Sequence, residues 1–188
     1  IATDPDFIEQ DQRLMTLYSE GKMDMEDYLE FCMAPLSDMP IEQVKMLVAE
    51  CVDKQILPKQ FKQSKTLIAQ LSRDGIDMVI ISASVTFLVE AVGQRLGIPT
   101  SLGIDLVEQK GTYSAEISGI PSYREGKVTR LQQWLEAQPE FYSEIHFYTD
   151  SINDLPLCQH ADYAYLVNPC PRLREHANQP NWTVLSWD

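Results

Sequence analysis

Two aspartates four residues apart follow a short apolar segment in the second half of the chain. The segment covers residues 145–148, and the aspartates are Asp150 and Asp154, with Asn153 between them. The apolar residues predict a buried strand, and open α/β sheets bind ligands at the carboxyl ends of their strands. Mg²⁺ prefers carboxylate oxygens and keeps some of its water. Asp150 and Asp154 are therefore candidate magnesium ligands.

A purely structural role explains the same two aspartates without a metal. Asp150 can begin a turn, and Asp154 can cap the helix that Pro156 opens. This segment alone favours neither the metal site nor the structural role. The polar groups elsewhere in the chain distinguish the two interpretations.

Two other polar side chains stand at predicted element boundaries. Ser82 follows the apolar residues 78–81, and Lys127 follows Gly126 where a helix is predicted to begin. A hydroxyl and an ammonium can hold phosphoryl oxygens while carboxylates hold Mg²⁺, so the set suits phosphoryl transfer. Taken singly, the serine is typical of a helix cap and the lysine of a solvated first turn. The order of the three groups, each on its own α/β unit, is the more specific signal.

Two kinds of pattern must position these groups. Residues 7–57 show helical spacing without a strand pattern, with a stop at Gly21, a cap at Asp24 and a new helix after Pro40. From residue 58 onward, helices alternate with short apolar strands, which predicts an α/β fold. Residues 102–117 alternate around Lys110 and Gly111 and predict a small antiparallel hairpin. Further helices are predicted over residues 59–73 and 172–176, and further strands over residues 163–167 and 183–185.

Composition excludes several classes of protein. The 188 residues suffice for one domain, or one domain with an insertion, and 44% of them are hydrophobic. A net charge of −13 argues against a nucleic-acid partner. No apolar stretch is long enough to cross a membrane, and no signal peptide is apparent. The four cysteines are scattered without a C-x-x-C pair, which favours a reducing, cytoplasmic compartment over disulfides or a zinc site.

The polar groups, taken in order, resemble the motifs of the haloacid dehalogenase superfamily. The strand ending at Ser82 is similar to the second motif, Gly126-Lys127 to the third, and residues 148–154 to the fourth. Residues 124–128, 153–157 and 167–169 resemble the phosphoserine-phosphatase-like subfamily IB, close to its histidinol-phosphatase-like members. The resemblance extends over roughly the whole chain.

The resemblance implies both a fold and an activity. The fold is a Rossmann-like three-layer α/β core with a mainly parallel sheet and an all-helical cap. We expect the cap at residues 7–57 and the core at residues 1–6 and 58–188. The activity is Mg²⁺-dependent hydrolysis of a small phosphomonoester through an aspartyl-phosphate. The implied roles are catalysis for Ser82 and Lys127, metal binding for Asp150 and Asp154, and substrate binding for Asp4, Ser84, Arg124 and Asn153.

The first motif of the superfamily is missing from the sequence. That motif is a strand ending in D-x-D-x-[TV], whose first aspartate is the nucleophile. Asp4 and Asp6 have the D-x-D spacing, but no apolar strand precedes them. We expect the motif immediately upstream of Ile1, and the 188 residues alone to be inactive without a nucleophile.

Substrate and mechanism keep alternatives at this stage. Residues 28–33 lack the arginine with which phosphoserine phosphatases grip a carboxylate, which weakens phosphoserine as the substrate. Acidic residues Asp4, Asp6 and Glu30 suit an amine-bearing substrate such as histidinol phosphate, although they also suit an ordinary solvated surface. A non-catalytic pseudophosphatase that binds a phosphorylated ligand or a protein, and a phosphotransferase, are the rival functions. The oligomeric state is left open.

Overall fold

The N-terminal part of the chain is helical. The structure, a computed structural model, describes residues 5–188. Its first helices are α1 (Pro5–Ser19), α2 (Met25–Met33) and α3 (Ile41–Cys51), and the chain continues through a π-helical turn and a 3-10 turn to Lys59. We call residues 5–59 the helical region. Its division from the rest as a separate cap is still a prediction.

Two predicted helix boundaries are confirmed. The Asp24 carboxylate caps α2 by accepting the main-chain N–H groups of Glu26 and Asp27. Helix α1 ends at Ser19, and Gly21, the predicted stop, follows two residues later with a φ of 66° in the left-handed region. The N–H of Gly21 bonds the carbonyl of Tyr18 at 2.9 Å, and that of Lys22 bonds Leu17 at 2.8 Å. This pair of bonds is a Schellman motif, which glycine permits at little cost.

Beyond the helical region, helices and strands alternate. The helices are α4 (Lys62–Arg73), α5 (Thr86–Leu96), α6 (Glu125–Glu136), α7 (Leu155–His160) and α8 (Pro171–Glu175). The strands are β1 (Val79–Val85), β2 (Thr100–Ile104), β3 (Leu106–Gln109), β4 (Thr112–Ile117), β5 (His146–Thr149), β6 (Tyr163–Val167) and β7 (Trp182–Leu185).

Parallel pairing dominates the strands, which confirms the predicted α/β class. Strands β5, β6 and β7 form one parallel sheet, and β1 and β2 form a second. The β3–β4 pair is the predicted antiparallel hairpin, turning at Lys110 and Gly111. Within residues 5–188, β1 pairs only with β2 and β5 only with β6. One edge of each of these two strands therefore has no strand partner in the described chain.

Three element boundaries differ from the prediction. Strand β1 continues past residue 81 to Val85, so Ser82 lies within the strand rather than after it. Its pairing with β2 is irregular between Ile81 and Val85. Ser82 and Ser84 interrupt the apolar residues there, so the apolar pattern does not indicate the continuation. The hairpin predicted over residues 102–117 includes part of β2, because alternation alone does not identify the pairing partner. Helix α4 begins at Lys62 rather than at residue 59.

The helical region packs against the hairpin side of the α/β part. Leu14, Met25 and Leu29 form one buried cluster with Ile104, the last residue of β2. A second cluster lies under the three-stranded sheet, where α7 and α8 cover one face; its buried members are Cys158, Ala164, Leu166 and Leu173. No helix of residues 5–188 combines the length and the apolarity needed to cross a lipid bilayer.

Candidate active site

The loop after β5 is held by its own hydroxyl groups. Thr149, the last residue of β5, accepts the N–H of Ser151 at 3.2 Å, and Ser151 in turn accepts the N–H of Asn153 at 3.2 Å. A 3-10 turn over Ile152–Asp154 then leads directly into α7. Asp154 occupies the position before α7, but its side chain makes no capping bond there. The structural interpretation of Asp154 as a helix cap is therefore wrong.

The Asp154 side chain turns inward and meets Lys127. Its Oδ1 lies 2.5 Å from the Lys127 Nζ, and only 5% of the lysine and 8% of the aspartate side chain are exposed. The Thr149 hydroxyl donates to Oδ2 of Asp154 at 2.6 Å. A lysine in a first helical turn is normally solvated, so this burial needs the opposite charge beside it. The three residues form one buried polar cluster.

A close main-chain approach brings Lys127 to this position. A Cβ on Gly126 would stand 1.9 Å from the Pro121 carbonyl oxygen, so only glycine permits the first turn of α6 to pack here. Arg124, immediately before the helix, has φ 51° and ψ −124°. This combination is costly for a residue with a side chain, by about 1–3 kcal/mol. The turn that presents Lys127 is thus both tightly packed and strained.

Asp150 stands at the open side of the cluster. Solvent reaches its side chain, yet the surrounding protein removes part of its hydration. This desolvation raises the pKa of the Asp150 carboxyl, and the negative charge of Asp154 raises it further. A hydrogen bond from its own main-chain N–H and the positive charge of Lys127 both lower the pKa. Asp154 and Lys127 thus act on Asp150 through their charges.

Ser82 is tied to the turn before α6 through Ser122. The Ser122 hydroxyl, which is fully buried, donates to the main-chain carbonyl of Ser82. The Ser82 hydroxyl accepts the N–H of Ser84 at 3.2 Å. Both predicted serines therefore lie in the irregular part of β1, and Ser122 joins that strand to the segment that carries Lys127.

Asn153 contacts the helical region rather than open solvent. It is 3% exposed, its Nδ2 donates to the Tyr18 carbonyl at 2.8 Å, and its Oδ1 accepts the Tyr123 hydroxyl at 3.1 Å. The guanidinium carbon of Arg124 lies 4.9 Å from the centre of the Tyr123 ring. Asn153 and Arg124, both expected at the substrate, thus stand at the junction with the helical region.

The structure brings most of the predicted site residues together. Lys127, Asp150, Asp154 and Asn153 share one loop-and-helix cluster, Arg124 borders it, and Ser82 and Ser84 lie on the strand that Ser122 connects to it. Asp4, the remaining predicted residue, lies outside the described residues.

Sequence reasoning missed three residues of the cluster: Thr149, Ser122 and Tyr18. Thr149 could have been identified from the sequence, because it ends an apolar strand. A hydroxyl buried at that position needs a hydrogen-bond partner. Nothing near Ser122 or Tyr18 in the sequence indicates their contacts, which join segments 40 and 135 residues apart.

The donor chemistry of the site fits a small hard cation. Within residues 5–188 no group of three or more histidine, cysteine, aspartate or glutamate side chains is arranged to hold a metal ion. Two carboxylates remain, and Mg²⁺ commonly binds one or two together with water and phosphate oxygens. Both oxygens of Asp154 are engaged, by Lys127 and Thr149, so Asp150 is the carboxylate better placed to accept a cation.

A mainly parallel α/β fold with a lysine and aspartates gathered at a strand end is the arrangement in which open α/β sheets bind ligands. The family model for haloacid dehalogenase-like hydrolases matches residues 4–159. The chain belongs to that family. It is 31% identical over 182 residues to a histidinol-phosphatase of Neisseria meningitidis serogroup C (strain 8013), covering 95% of this chain and 82% of that protein. The family match and this likeness confirm the predicted superfamily.

Solved structures share the fold. A protein of unknown function from Bordetella pertussis Tohama I superimposes with a TM-score of 0.86 at 28% identity, covering 98% of this chain and 84% of that one. A phosphoserine phosphatase, in the form of a phospho-aspartyl intermediate analogue, superimposes with a TM-score of 0.70 at 20% identity, covering 96% and 81%. The second likeness supports the Rossmann-like fold predicted from the motifs.

Proposed function

We propose that the full-length protein is a Mg²⁺-dependent phosphomonoesterase that acts on a small phosphorylated metabolite. The observation that carries the proposal is the buried Lys127–Asp154 pair beside the exposed carboxylate of Asp150. The pair keeps one positive charge fixed in a site with little water, where it acts on phosphoryl oxygens more strongly than in solvent.

Each residue then has a distinct role. Mg²⁺, when bound, would neutralise charge on the phosphoryl oxygens. Asp150 would hold the cation, and Asp154 would orient Lys127 through the 2.5 Å contact. Lys127 would place its ammonium on a phosphoryl oxygen, and the Ser82 hydroxyl would donate to another. These groups stabilise charge and position the substrate, which is most of what phosphoryl transfer requires.

The nucleophile is proposed to be an aspartate on a further strand in the full-length protein. Asp6 lies in the first turn of α1 and does not end a strand. The unpartnered edges of β1 and β5 offer a place for one more parallel strand beside Ser82 and Asp150. Its carboxylate oxygen would attack phosphorus as the bond from phosphorus to the alcohol oxygen breaks, and the alcohol would take a proton from the second aspartic acid of the same D-x-D motif. That aspartate would then take a proton from the water that cleaves the acyl phosphate, which releases phosphate and restores the nucleophile.

We further propose histidinol phosphate as the first substrate to test. The support is the 31% identity to a histidinol-phosphatase, together with the lack of arginine in α2 and the exposed acids Asp6 and Glu30. With full-length protein and Mg²⁺, kcat/KM for histidinol phosphate should exceed that for phosphoserine at least about tenfold, a difference of about 1.4 kcal/mol. Equal turnover of both and of p-nitrophenyl phosphate would refute the amine-specific site while leaving the phosphatase assignment in place.

Asp150→Asn tests the metal assignment directly. The change keeps the shape of the side chain and removes its charge, so Mg²⁺ affinity and nearly all turnover of the full-length protein should be lost. Mg²⁺ binding is measured by calorimetry and turnover by phosphate release. Asp53→Asn, which alters a surface carboxylate paired with Arg95, is the matched control. Unchanged Mg²⁺ binding by Asp150→Asn would overturn the assignment.

A further inference from the structure

The end of helix α1 meets the candidate active-site loop. The carbonyl of Tyr18, in the last turn of α1, accepts the Asn153 amide at 2.8 Å. The carbonyl of Glu20, one residue beyond the helix, accepts a guanidinium N–H of Arg172 from α8. Carbonyl groups at a helix C-terminus have no partners within the helix and carry partial negative charge. The Tyr18 carbonyl also accepts the N–H of Gly21, so Asn153 is its second donor, and the α/β part supplies further donors to the end of α1.

Gly21 lies next to these donors. A Cβ built there would lie 3.6 Å from Asn153 Oδ1, 3.7 Å from an Nη of Arg124 and 3.9 Å from an Nη of Arg172. Two guanidinium groups and one amide therefore surround the same point at the end of α1. The C-terminal end of a helix carries partial negative charge, so both guanidinium groups are stabilised at this position.

The Tyr18 side chain extends the same contact into the loop. Its ring stacks on that of Tyr123 with centroids 6.2 Å apart, and the Tyr123 hydroxyl bonds Asn153. Burial raises the pKa of the Tyr18 hydroxyl, and the nearby charges of Asp154 and Asp150 raise it further. Hydrogen bonding to Ser151 and Asn153 lowers this pKa. The ring stack and the Asn153 bonds thus place Tyr18 against the loop that carries both candidate metal-site carboxylates.

We propose that Tyr18 is a positioning residue, through which the end of α1 and the Asp150–Asp154 loop hold each other in place. Asn153 is the shared element, because its two amide atoms bond Tyr18 on one side and Tyr123 on the other. Displacing α1 breaks the Asn153–Tyr18 bond, and loosening the loop frees the end of α1. Where this contact affects turnover, the inference rests on the proposed phosphatase function.

Hydrogen exchange tests the contact without any activity. The Asn153→Asp variant of the full-length protein places a carboxylate oxygen opposite the Tyr18 carbonyl, where the wild-type protein has the amide N–H donor. The amides of Glu20, Gly21 and Lys22 should then exchange at least about fivefold faster, because a hydrogen bond of about 1 kcal/mol is lost from the local opening equilibrium. Asn168→Asp removes a similar amide-to-carbonyl bond, to Trp187, and is the matched control. Unchanged exchange at these amides in Asn153→Asp overturns the proposal.

The reciprocal experiment starts from the helix. Tyr18→Ala should speed exchange at the Asn153 and Asp154 amides about fivefold, the loss of an aromatic contact of about 1 kcal/mol. It should also weaken Mg²⁺ binding and raise the Mg²⁺ concentration needed for half-maximal turnover by a similar factor. Tyr28→Phe, which removes a hydroxyl inside the helical region, should change neither. If Tyr18→Ala does not fold, Tyr18→Leu, which keeps an apolar side chain but removes the ring stack on Tyr123, gives the same test.

The outcomes separate the two proposals. Faster exchange at the loop together with weaker Mg²⁺ binding supports both. Faster exchange in a protein that neither binds Mg²⁺ nor releases phosphate keeps the positioning role and refutes the phosphatase function. An active wild-type protein whose Tyr18→Ala variant keeps its loop exchange and its Mg²⁺ response refutes the positioning role alone.

Discussion

The helical region and the candidate active site each contain an ion pair between a lysine and a carboxylate, but only the pair at the site is buried. In the helical region Lys54 lies 2.5 Å from Glu50, with 67% and 58% of the two side chains exposed. At the site Lys127 lies at the same distance from Asp154, with 5% and 8% exposed. The distance is equal, so burial alone separates a weak surface contact from a pair whose members depend on each other.

The difference also explains the polar surroundings. The Lys54–Glu50 pair needs no other partner, because water solvates both groups. The buried pair requires the Thr149 hydroxyl and the close packing at Gly126 to hold it. An ion pair that is costly to bury is retained where a fixed charge has a use, which agrees with the catalytic role proposed for Lys127.

The largest effect is expected when one member of the buried pair is removed. Lys127→Met leaves Asp154 as an unpaired buried charge and should lower the free energy of unfolding by about 3–5 kcal/mol. Urea denaturation measures this loss. Lys127→Met combined with Asp154→Leu removes both charges and should recover most of the stability. A double variant as unstable as the single one would contradict the interpretation.

Gly126→Ala should have the next largest effect. The added Cβ would collide with a main-chain oxygen, so the backbone has to move, at a cost of about 3 kcal/mol. Gly75→Ala is the matched control, because its φ is positive but no atom lies within 4 Å of the added Cβ. Backbone strain alone should cost the control about 1 kcal/mol. Equal thermal midpoints for the two variants would show that the packing at Gly126 is not tight.

Thr149→Val should cost less again. It removes the hydroxyl that donates to Asp154 Oδ2 and leaves that oxygen without this bond, at a cost of about 1–2 kcal/mol. Thr16→Val removes an exposed hydroxyl bond to the Gln12 carbonyl and should change stability by less than about 0.5 kcal/mol. Denaturation curves of the two variants decide whether Thr149 supports the buried pair.

The smallest effect is expected at the surface pair. Lys54 lowers the pKa of Glu50 through the bond between them, but both groups remain in water. Lys54→Met should therefore leave the denaturation midpoint unchanged within error at ordinary ionic strength. A loss comparable with that of Lys127→Met would remove the distinction between the two pairs.

Local signals in the sequence predicted the elements and the main charged groups. The Asp24 cap, the Gly21 stop and the Lys110-Gly111 turn each depend on neighbouring residues, and the structure has all three. The motifs also predict that Lys127 and the two aspartates act at one site, and the structure places them together. Such features follow from chemistry within a few residues.

Contacts between distant segments were not predictable in this way. The parallel pairing of β2 with β1, the Ser122 bond to Ser82 and the Asn153 bond to Tyr18 all join segments that no periodicity relates. The backbone conformation of Arg124 was not predictable for a different reason. An arginine at φ 51° contradicts its own backbone preference, and only packing at both ends of the segment can impose it.

The unpartnered edges of β1 and β5 also bear on how the 188-residue chain behaves in solution. Strand edges present rows of N–H and C=O groups that pair readily with other chains. Residues 5–188 on their own should therefore self-associate as concentration rises, and a synthetic apolar strand peptide supplied in trans should suppress that association. Such a peptide would act as a removable cap on the open strand edges, and its concentration would set the assembly state of the polypeptide.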